Sequence, residues 1–510
     1  MRNILDYLER TVKRYPGKEA VDDGGVCYTW EELYRLSQRI GTAVAETGGM
    51  IHRPVPVFME KRADTVAAFF GIAYAGCFYI LINPEYPEER IRKMLMVLEA
   101  DVAVSEAALN EKLRRSGFTG NIIDMEAAKL GQVQEDLLGR IRQQVGETDY
   151  LYGIFTSGSM GTPRNVVVSH QAVIDFIEDF TDTFSFRAED VLGNQAPFDF
   201  DVSVKDIYTA AVTGAKLVLI SRSMFATLPQ LLDYICEKKV TVIIWAVSAI
   251  CMITSLRGFE YRIPRDIRYV FFSGEVMPRS HLDQWIKVLR EAEFVNLYGP
   301  TEVTCNCTYY RVKGNESERN GLPIGGAFPK REVFLLDSEN KRVVRPGIYG
   351  EICVGGETLS SGYYNDKTAT DEKFVINPFG RNSEEKIYHT GDIGYWDCWN
   401  ELHFAGRKDH QIKHMGYRIE LEEVEWEIGR IPGINRVCCI YNHVERQLAA
   451  FYMGTLREAE IRERIKRQLP AYMVPSRFVR LLMMPLNKNG KLDRKYLWNC
   501  YMRGEKNDKR

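Results

Sequence analysis

The stretch Phe155-Thr156-Ser157-Gly158-Ser159-Met160-Gly161-Thr162-Pro163-Arg164 sets small hydroxyls and glycines between two apolar runs, 151–155 and 166–168. Such a loop can cradle a phosphate, because glycines let backbone N–H groups come close to an anion, hydroxyls add donors, and a nearby cation neutralises charge. The same composition between two strands also makes an ordinary turn. It does not follow the pattern Gly-x-x-x-x-Gly-Lys-Ser/Thr: the two Gly-Lys pairs, at 17–18 and 490–491, are followed by Glu19 and Leu492 and lack the upstream glycine.

Further polar segments occur downstream: Asn296-Leu297-Tyr298-Gly299-Pro300-Thr301-Glu302 after an apolar pair, Tyr388-His389-Thr390-Gly391-Asp392, Gly406 to Lys413 running into Gly416-Tyr417-Arg418-Ile419-Glu420, and Pro485 to Arg494. Together with the loop, and in this order over most of the chain, they resemble the motifs of the adenylate-forming superfamily. The loop departs from the usual form at Met160, Arg164 and Asn165, where the family has threonine, lysine and glycine. Arginine keeps the charge, asparagine tolerates a positive φ better than most residues, and methionine removes a hydroxyl from the phosphate shell.

The resemblance implies ATP and Mg²⁺ as cofactors and an acyl-adenylate formed from a carboxylate, with pyrophosphate leaving. It places Lys491 between the attacking carboxylate and the α-phosphate, Glu302 on the metal, and Thr156, Ser157, Gly158, Ser159 and Gly161 around the phosphates. Around the rest of the nucleotide it places Gly274, Glu275, Asn296, Tyr298, Gly299, Thr301, Asp392 and Arg407. An oxygen ligand suits Mg²⁺, and an ionised aspartate such as Asp392 can accept from both ribose hydroxyls. Asp409 resembles the pivot on which a small C-terminal domain swings, withdrawing Lys491 and bringing the loop at Gly416 to line a thiol tunnel.

The window from Ala196 to Tyr208 resembles the amino-acid-activating branch, in which Asp201 receives the substrate's α-ammonium. A buried carboxylate needs a cation, which a zwitterionic amino acid brings; the competing account is that Asp201 merely caps the following helix. The substrate wall implied by the resemblance comprises Asp201, Val202, Lys205, Ile244, Phe271, Ser273, Leu297, Cys305 and Asn306. Ligases that charge D-alanine onto a carrier protein are similar in several segments, but Ser273 replaces their cysteine and Lys205 an apolar residue. Lys205 lies four residues after Asp201, on the same helix face. Either the two pair, leaving a small pocket for a small amino acid, or Lys205 points at an acidic substrate. With no condensation or carrier domain in the sequence, a phosphopantetheinylated carrier protein supplied in trans is expected. A carboxylic acid:CoA ligase and a catalytically impaired nucleotide-binding homologue are the alternatives.

At 510 residues, 45% hydrophobic and 27% charged, the chain can bury more than one core. A net charge of −2 gives no field for nucleic acid or anionic membranes, and the eleven cysteines lack zinc spacing, so reduced thiols in a cytoplasmic protein are expected. The uncharged segment 65–84 could mislead a hydropathy scan. Its glycines and the strand-like run 77–82 after an amphipathic helix from near Lys61 argue for soluble core rather than membrane insertion. Elsewhere strands (216–221, 240–246, 269–272) alternate with helices (228–238), which predicts α/β architecture with helix-covered parallel sheets. The expected division is an N-terminal core of residues 1–408, including a small β subdomain at about 325–406, hinged to an α+β C-terminal domain, 409–510.

Overall fold

The computed structural model describes residues 3–47, 51–158, 161–314, 321–380, 384–443, 445–486 and 492–503. Ser159, Met160 and Lys491, named above for the phosphates and the catalytic cation, lie outside these residues.

Apolar strands that alternate with helices build the two large sheets of the first 330 residues. In one, Glu293–Tyr298, Tyr269–Ser273, Val242–Ala246, Val191–Asn194, Lys216–Leu219 and Glu19–Asp22 run parallel in that spatial order, extended at both edges by antiparallel strands. In the other, Tyr150–Thr156 pairs in parallel with Phe78–Leu81, followed by Pro54–Phe58, Val102–Ser105 and Asn121–Asp124. On its other side Tyr150–Thr156 pairs with the antiparallel strand Arg164–Ser169. The strands expected at 77–82, 216–221, 240–246 and 269–272 lie within two residues of these bounds, whereas Pro54–Phe58 and Val191–Asn194, also central, were not anticipated.

The segment 65–84 is core, with one difference from expectation. Helix Ala63–Tyr74 is buried on every face except at Asp64 and is not amphipathic. Two glycines explain the tight fit against helix Trp30–Glu46: a Cβ on Gly41 would meet Tyr74 Cβ at 2.7 Å, and one on Gly71 would meet Ile40 Cβ at 2.8 Å. Close backbone approach of this kind excludes water from the helix contact. No helix among the described residues is long and apolar enough to cross a membrane. The described cysteines are all free and most are buried.

Short strands with Gly/Pro turns follow as expected: Arg331–Leu336, Tyr349–Gly356 and Lys386–Trp396 form an antiparallel sheet to which Leu402–Arg407 is added. Beyond it come the hairpin Gln411–His414/Tyr417–Glu420, helix Leu421–Gly429 and a three-stranded sheet of Ile434–Asn442, Gln447–Gly454 and Arg477–Arg480. These last elements gather a separate hydrophobic cluster around Ile419, Val424, Ile428 and Ile461.

Candidate functional site

The strands of both large sheets end at one cavity of about 120 Å³, whose wall includes Thr156, Ser157, Asp201, Val202, Ser273, Gly274 and Gly299, with Thr301, Cys305, Asn306, Asp392, Arg407 and Gly416. Open α/β sheets place their ligand sites in this position, outside the carboxyl ends of the strands. Ile244, Phe271 and Leu297 sit on neighbouring strands of one sheet behind the wall, almost wholly buried. Phe271 belongs to an aromatic cluster with Phe184, Phe186 and Tyr269. Asn296, also behind the wall, donates from Nδ2 to the carbonyl of Pro323 at 2.8 Å.

Thr156 ends its strand opposite Arg164, and the described part of the loop leaves from there. A Cβ on Gly158 would lie 2.0 Å from the carbonyl oxygen of Thr162, so only glycine fits. Gly161 has φ +73°, the conformation that glycine adopts at little cost. Asn165, expected to suit a positive φ, instead lies within strand Arg164–Ser169, fully buried beneath Gly153. Arg164 reaches Asp366 at 3.6 Å and stands 5.5 Å over the Tyr363 ring.

Two carboxylates and their cationic partners hold the anchor points of this loop. Glu423, on helix Leu421–Gly429, accepts from Gly158 N at 3.3 Å and forms a buried ion pair with Arg90. Four residues on, Glu427 pairs with Lys93, which also donates to the carbonyl of Gly161 at 3.0 Å. Ser157 Oγ donates to the carbonyl of Arg418 at 3.1 Å and accepts from Glu420 N at 3.2 Å. Arg418 in turn reaches both oxygens of Glu302, at 2.9 and 2.7 Å, and Tyr363 donates to the same carboxylate at 2.8 Å. Burial pushes the Glu302 carboxyl up, but the Arg418 charge and the Tyr363 hydrogen bond together outweigh it and leave the group below its ordinary range. With these side chains in place the cavity falls well short of the roughly 300–1,000 Å³ of ordinary small-molecule sites.

The Asp392 carboxylate accepts from Tyr298 Oη at 2.6 Å and pairs with Arg407. Arg407 also makes a two-pronged pair with Asp409, at 2.6 and 2.7 Å. Gly416 follows Met415 in a hairpin turn where both have positive φ, and its N–H donates to Glu275 at 2.9 Å. Lys413 stands 5.8 Å over the Tyr298 ring, its ammonium pulled below the ordinary lysine range by burial.

Asp201 occupies the N-cap position of helix Val202–Thr213 without any side-chain capping bond, so the helix-cap account of this residue does not hold. Part of its surface opens into the cavity and protein surrounds the rest. Burial raises its carboxyl above the ordinary aspartate range, while Lys205 and a hydrogen bond from Thr301 pull in the other direction. Lys205 is fully buried and donates to Asn306 Oδ1 at 2.5 Å, an arrangement that neither sequence alternative anticipated.

Sequence reasoning missed Arg90, Lys413 and Arg418 as members of this site, together with the aromatic residues Tyr86, Phe200, Tyr417 and Tyr472. Tyr417 stacks on Tyr472 at 3.6 Å and meets Phe200 edge-on at 4.5 Å. For Arg418 a signal existed: it lies just beyond a Met-Gly pair whose tight turn aims the next residues back into the protein. For Arg90 there was none beyond its helical position.

Among solved structures, the Vibrio cholerae adenylation domain AlmE in complex with glycyl-adenosine-5'-phosphate superposes with a TM-score of 0.86, at 22% identity, over 99% of this chain and 98% of that one. A double mutant of o-succinylbenzoate CoA synthetase from Bacillus subtilis superposes with a TM-score of 0.84, at 19% identity, over 98% of each chain. These likenesses establish the fold. In sequence, the chain is 29% identical over 501 residues to tyrocidine synthase 1 of Brevibacillus parabrevis, aligning 97% of its own length but spanning only 45% of that relative. It is also 29% identical over 501 residues to bacitracin synthase 1 of Bacillus licheniformis, again over 97% of its own length and only 9% of the relative's. Residues 8–364 match the family model described as AMP-binding enzyme, and the chain therefore belongs to this adenylate-forming family.

Proposed function

We propose that this protein uses ATP to activate an amino acid as its aminoacyl adenylate and passes the aminoacyl group to the phosphopantetheine thiol of a carrier protein supplied in trans. The observation that carries this reading is Asp201: an uncapped carboxylate that opens into the same cavity as Thr156, Ser157 and Asp392. Such a group calls for a cation, and the α-ammonium of an amino acid supplies one while leaving its carboxylate free to face the phosphate loop. The glycyl adenylate held by the AlmE structure supports this assignment.

In the first half-reaction a carboxylate oxygen of the amino acid attacks the α-phosphorus, and the bond from that phosphorus to pyrophosphate breaks. Asp201 fixes the ammonium, the amides at Gly158 and Gly161 and the hydroxyls of Thr156 and Ser157 receive phosphate oxygens, and Asp392 holds the ribose. Lys491 brings a positive charge to the reacting oxygens. Glu302, an oxygen donor shielded from solvent, fits a hard cation; Arg418, one of whose guanidinium nitrogens reaches both of its oxygens, stands in the position of that charge. Mg²⁺ bound there would neutralise phosphate charge. In the second half-reaction the thiol attacks the acyl carbon and AMP leaves, with the loop at Gly416 lining the thiol's path. Loop contacts to Glu420, Glu423 and Arg418 fit this second stage, after pyrophosphate has left.

Amino-acid-dependent exchange of pyrophosphate into ATP tests the reading. Exchange is expected with a subset of amino acids, followed by thioester formation on a phosphopantetheinylated carrier protein but not on free coenzyme A. Exchange driven only by carboxylic acids lacking an ammonium, with coenzyme A as the better acceptor, would replace it with the acyl-CoA ligase reading.

A further inference from the structure

We propose that Lys61 is a positioning residue for amino-acid binding: its ammonium gathers the strand-end carbonyls from which the segment carrying Asp201 departs, and so fixes where that carboxylate stands in the cavity. The inference rests on the amino-acid reading above and concerns only how the ammonium-binding group is held in place.

Lys61 lies between strand Pro54–Phe58 of one large sheet and helix Ala63–Tyr74. Its side chain crosses to the carboxyl ends of two strands of the other sheet, Val191–Asn194 and Lys216–Leu219. There Nζ donates to Asn194 O at 3.0 Å, to Gln195 O at 3.1 Å and to Ile220 O at 3.0 Å. An ammonium has three donors and no acceptor, so this one is spent entirely on neutral oxygens. Three carbonyls aimed at one point repel each other unless a donor stands between them, and backbone carbonyls turned inward need a partner. The charge that faces Lys61 is Asp206, on helix Val202–Thr213, while its chain neighbours Glu60 and Arg62 pair with each other at 3.1 Å. Asp206 Oδ2 accepts from Asn194 Nδ2 at 2.6 Å, so strand end, helix and ammonium form one network.

Gln195 opens the stretch that runs to Asp201. The Phe198 ring lies 5.7 Å from the Lys61 ammonium and edge-on to Phe69 at 5.5 Å, which holds the segment at a second point. Beyond it, Phe200 N donates to Pro197 O at 3.2 Å and Ser203 Oγ to Phe200 O at 2.6 Å, leaving little slack before Asp201. Asp201 forms part of the cavity wall and Lys61 does not, so Lys61 acts on the substrate through this segment. Burial pulls the Lys61 ammonium down to about 7. Loss of its proton removes both the charge and one of the three donors.

Pyrophosphate exchange with the full chain, driven by the best substrate from a panel of the proteinogenic amino acids and D-alanine, tests this role. Lys61→Met is expected to raise the amino-acid KM at least about tenfold and to leave the ATP KM within about twofold, because a small displacement of a binding group is felt strongly. In wild type the amino-acid KM should rise as pH climbs past about 7. Lys61→Arg, whose charge persists at every assay pH, should restore binding and move that rise to the pH at which the substrate's own ammonium titrates. An unchanged amino-acid KM in Lys61→Met, or equal rises in both KM values, would overturn the assignment. Should Lys61→Met fail to fold, the pH profiles decide, and coincident alkaline limbs in wild type and Lys61→Arg would refute it. Exchange with no amino acid, and no thermal stabilisation by any aminoacyl-sulfamoyladenosine, would strike the amino-acid reading beneath it.

Discussion

Burial raises the Asp201 carboxyl above the ordinary aspartate range, and in the free protein the Lys205 charge and a hydrogen bond from Thr301 oppose that rise. A bound ammonium would add to both. Asp201→Ala should therefore raise the KM for the amino acid far more than the KM for ATP. Truncating one partner of such a buried charge pair costs roughly 2–5 kcal/mol, which exchange kinetics would register as a drop of about 30-fold or more. The pH dependence follows from the same shift. Because the carboxyl's pKa is raised, protonation sets in at higher pH than for an ordinary aspartate, so the amino-acid KM should climb as pH falls while the ATP KM stays level. A level amino-acid KM down to the ordinary aspartate range would argue that the ammonium binds elsewhere.

Helix Leu421–Gly429 and helix Glu88–Leu98 meet through two ion pairs, Glu423 with Arg90 and Glu427 with Lys93, and together they close over the phosphate loop. The Glu423 carboxylate takes the Gly158 amide, which on the proposed reading a phosphate oxygen would receive, so nucleotide and helix would compete for it. Glu423→Gln should lower the KM for ATP in the exchange assay several-fold and slow the thiol transfer, because a buried arginine left without its partner disfavours the closed arrangement. An unchanged ATP KM would mean that this contact does not compete with phosphate. None of it was legible in the sequence, since Arg90 and Glu423 are 333 residues apart and neither shows a local pattern. The strands were legible, because a run such as 269–273 is apolar almost throughout and carries its own signal of burial on both faces. Where sequence reading went astray, a distant partner decided the outcome. Asn165 lost its positive φ to strand pairing with Phe155, and Lys205 was drawn from its helix neighbour Asp201 to Asn306, 101 residues away.

At the scale of the whole molecule two kinds of evidence would test how its parts are joined. His170 opens a long helix and accepts from the backbone N–H of Ile4, near the start of the chain; burial, aided by Arg142, pulls its imidazole down to about 3. The unfolded chain takes up a proton at about 6.5 and the folded one does not, so the contribution is present above that pH and is lost as pH falls through the window towards 3, at about 1.4 kcal/mol per unit. Buried Asp206, raised to about 7, works in the opposite direction, which is why a variant is needed to separate them. The Tm of His170→Gln should lie furthest below wild type near pH 7 and approach it towards pH 4; a constant gap would show that only the hydrogen bond matters. The second test concerns how one cavity serves two reactions. Arg407 links Asp392 to Asp409, and residues 418–423 engage the loop at Ser157 and Gly158, so on the proposed reading adenylation would require the chain beyond Asp409 to move as a unit. If Lys491 acts only in the first half-reaction, Lys491→Ala should suppress pyrophosphate exchange by orders of magnitude and leave thioester formation from preformed aminoacyl adenylate intact. Asp409→Pro, which fixes φ at the proposed pivot, should have the same outcome if it locks the closed arrangement: transfer from preformed adenylate persists and exchange is lost. Both variants losing both half-reactions, while remaining folded and able to bind nucleotide, would mean that the two reactions share one arrangement and that the contacts of Arg418 and Glu423 belong to neither.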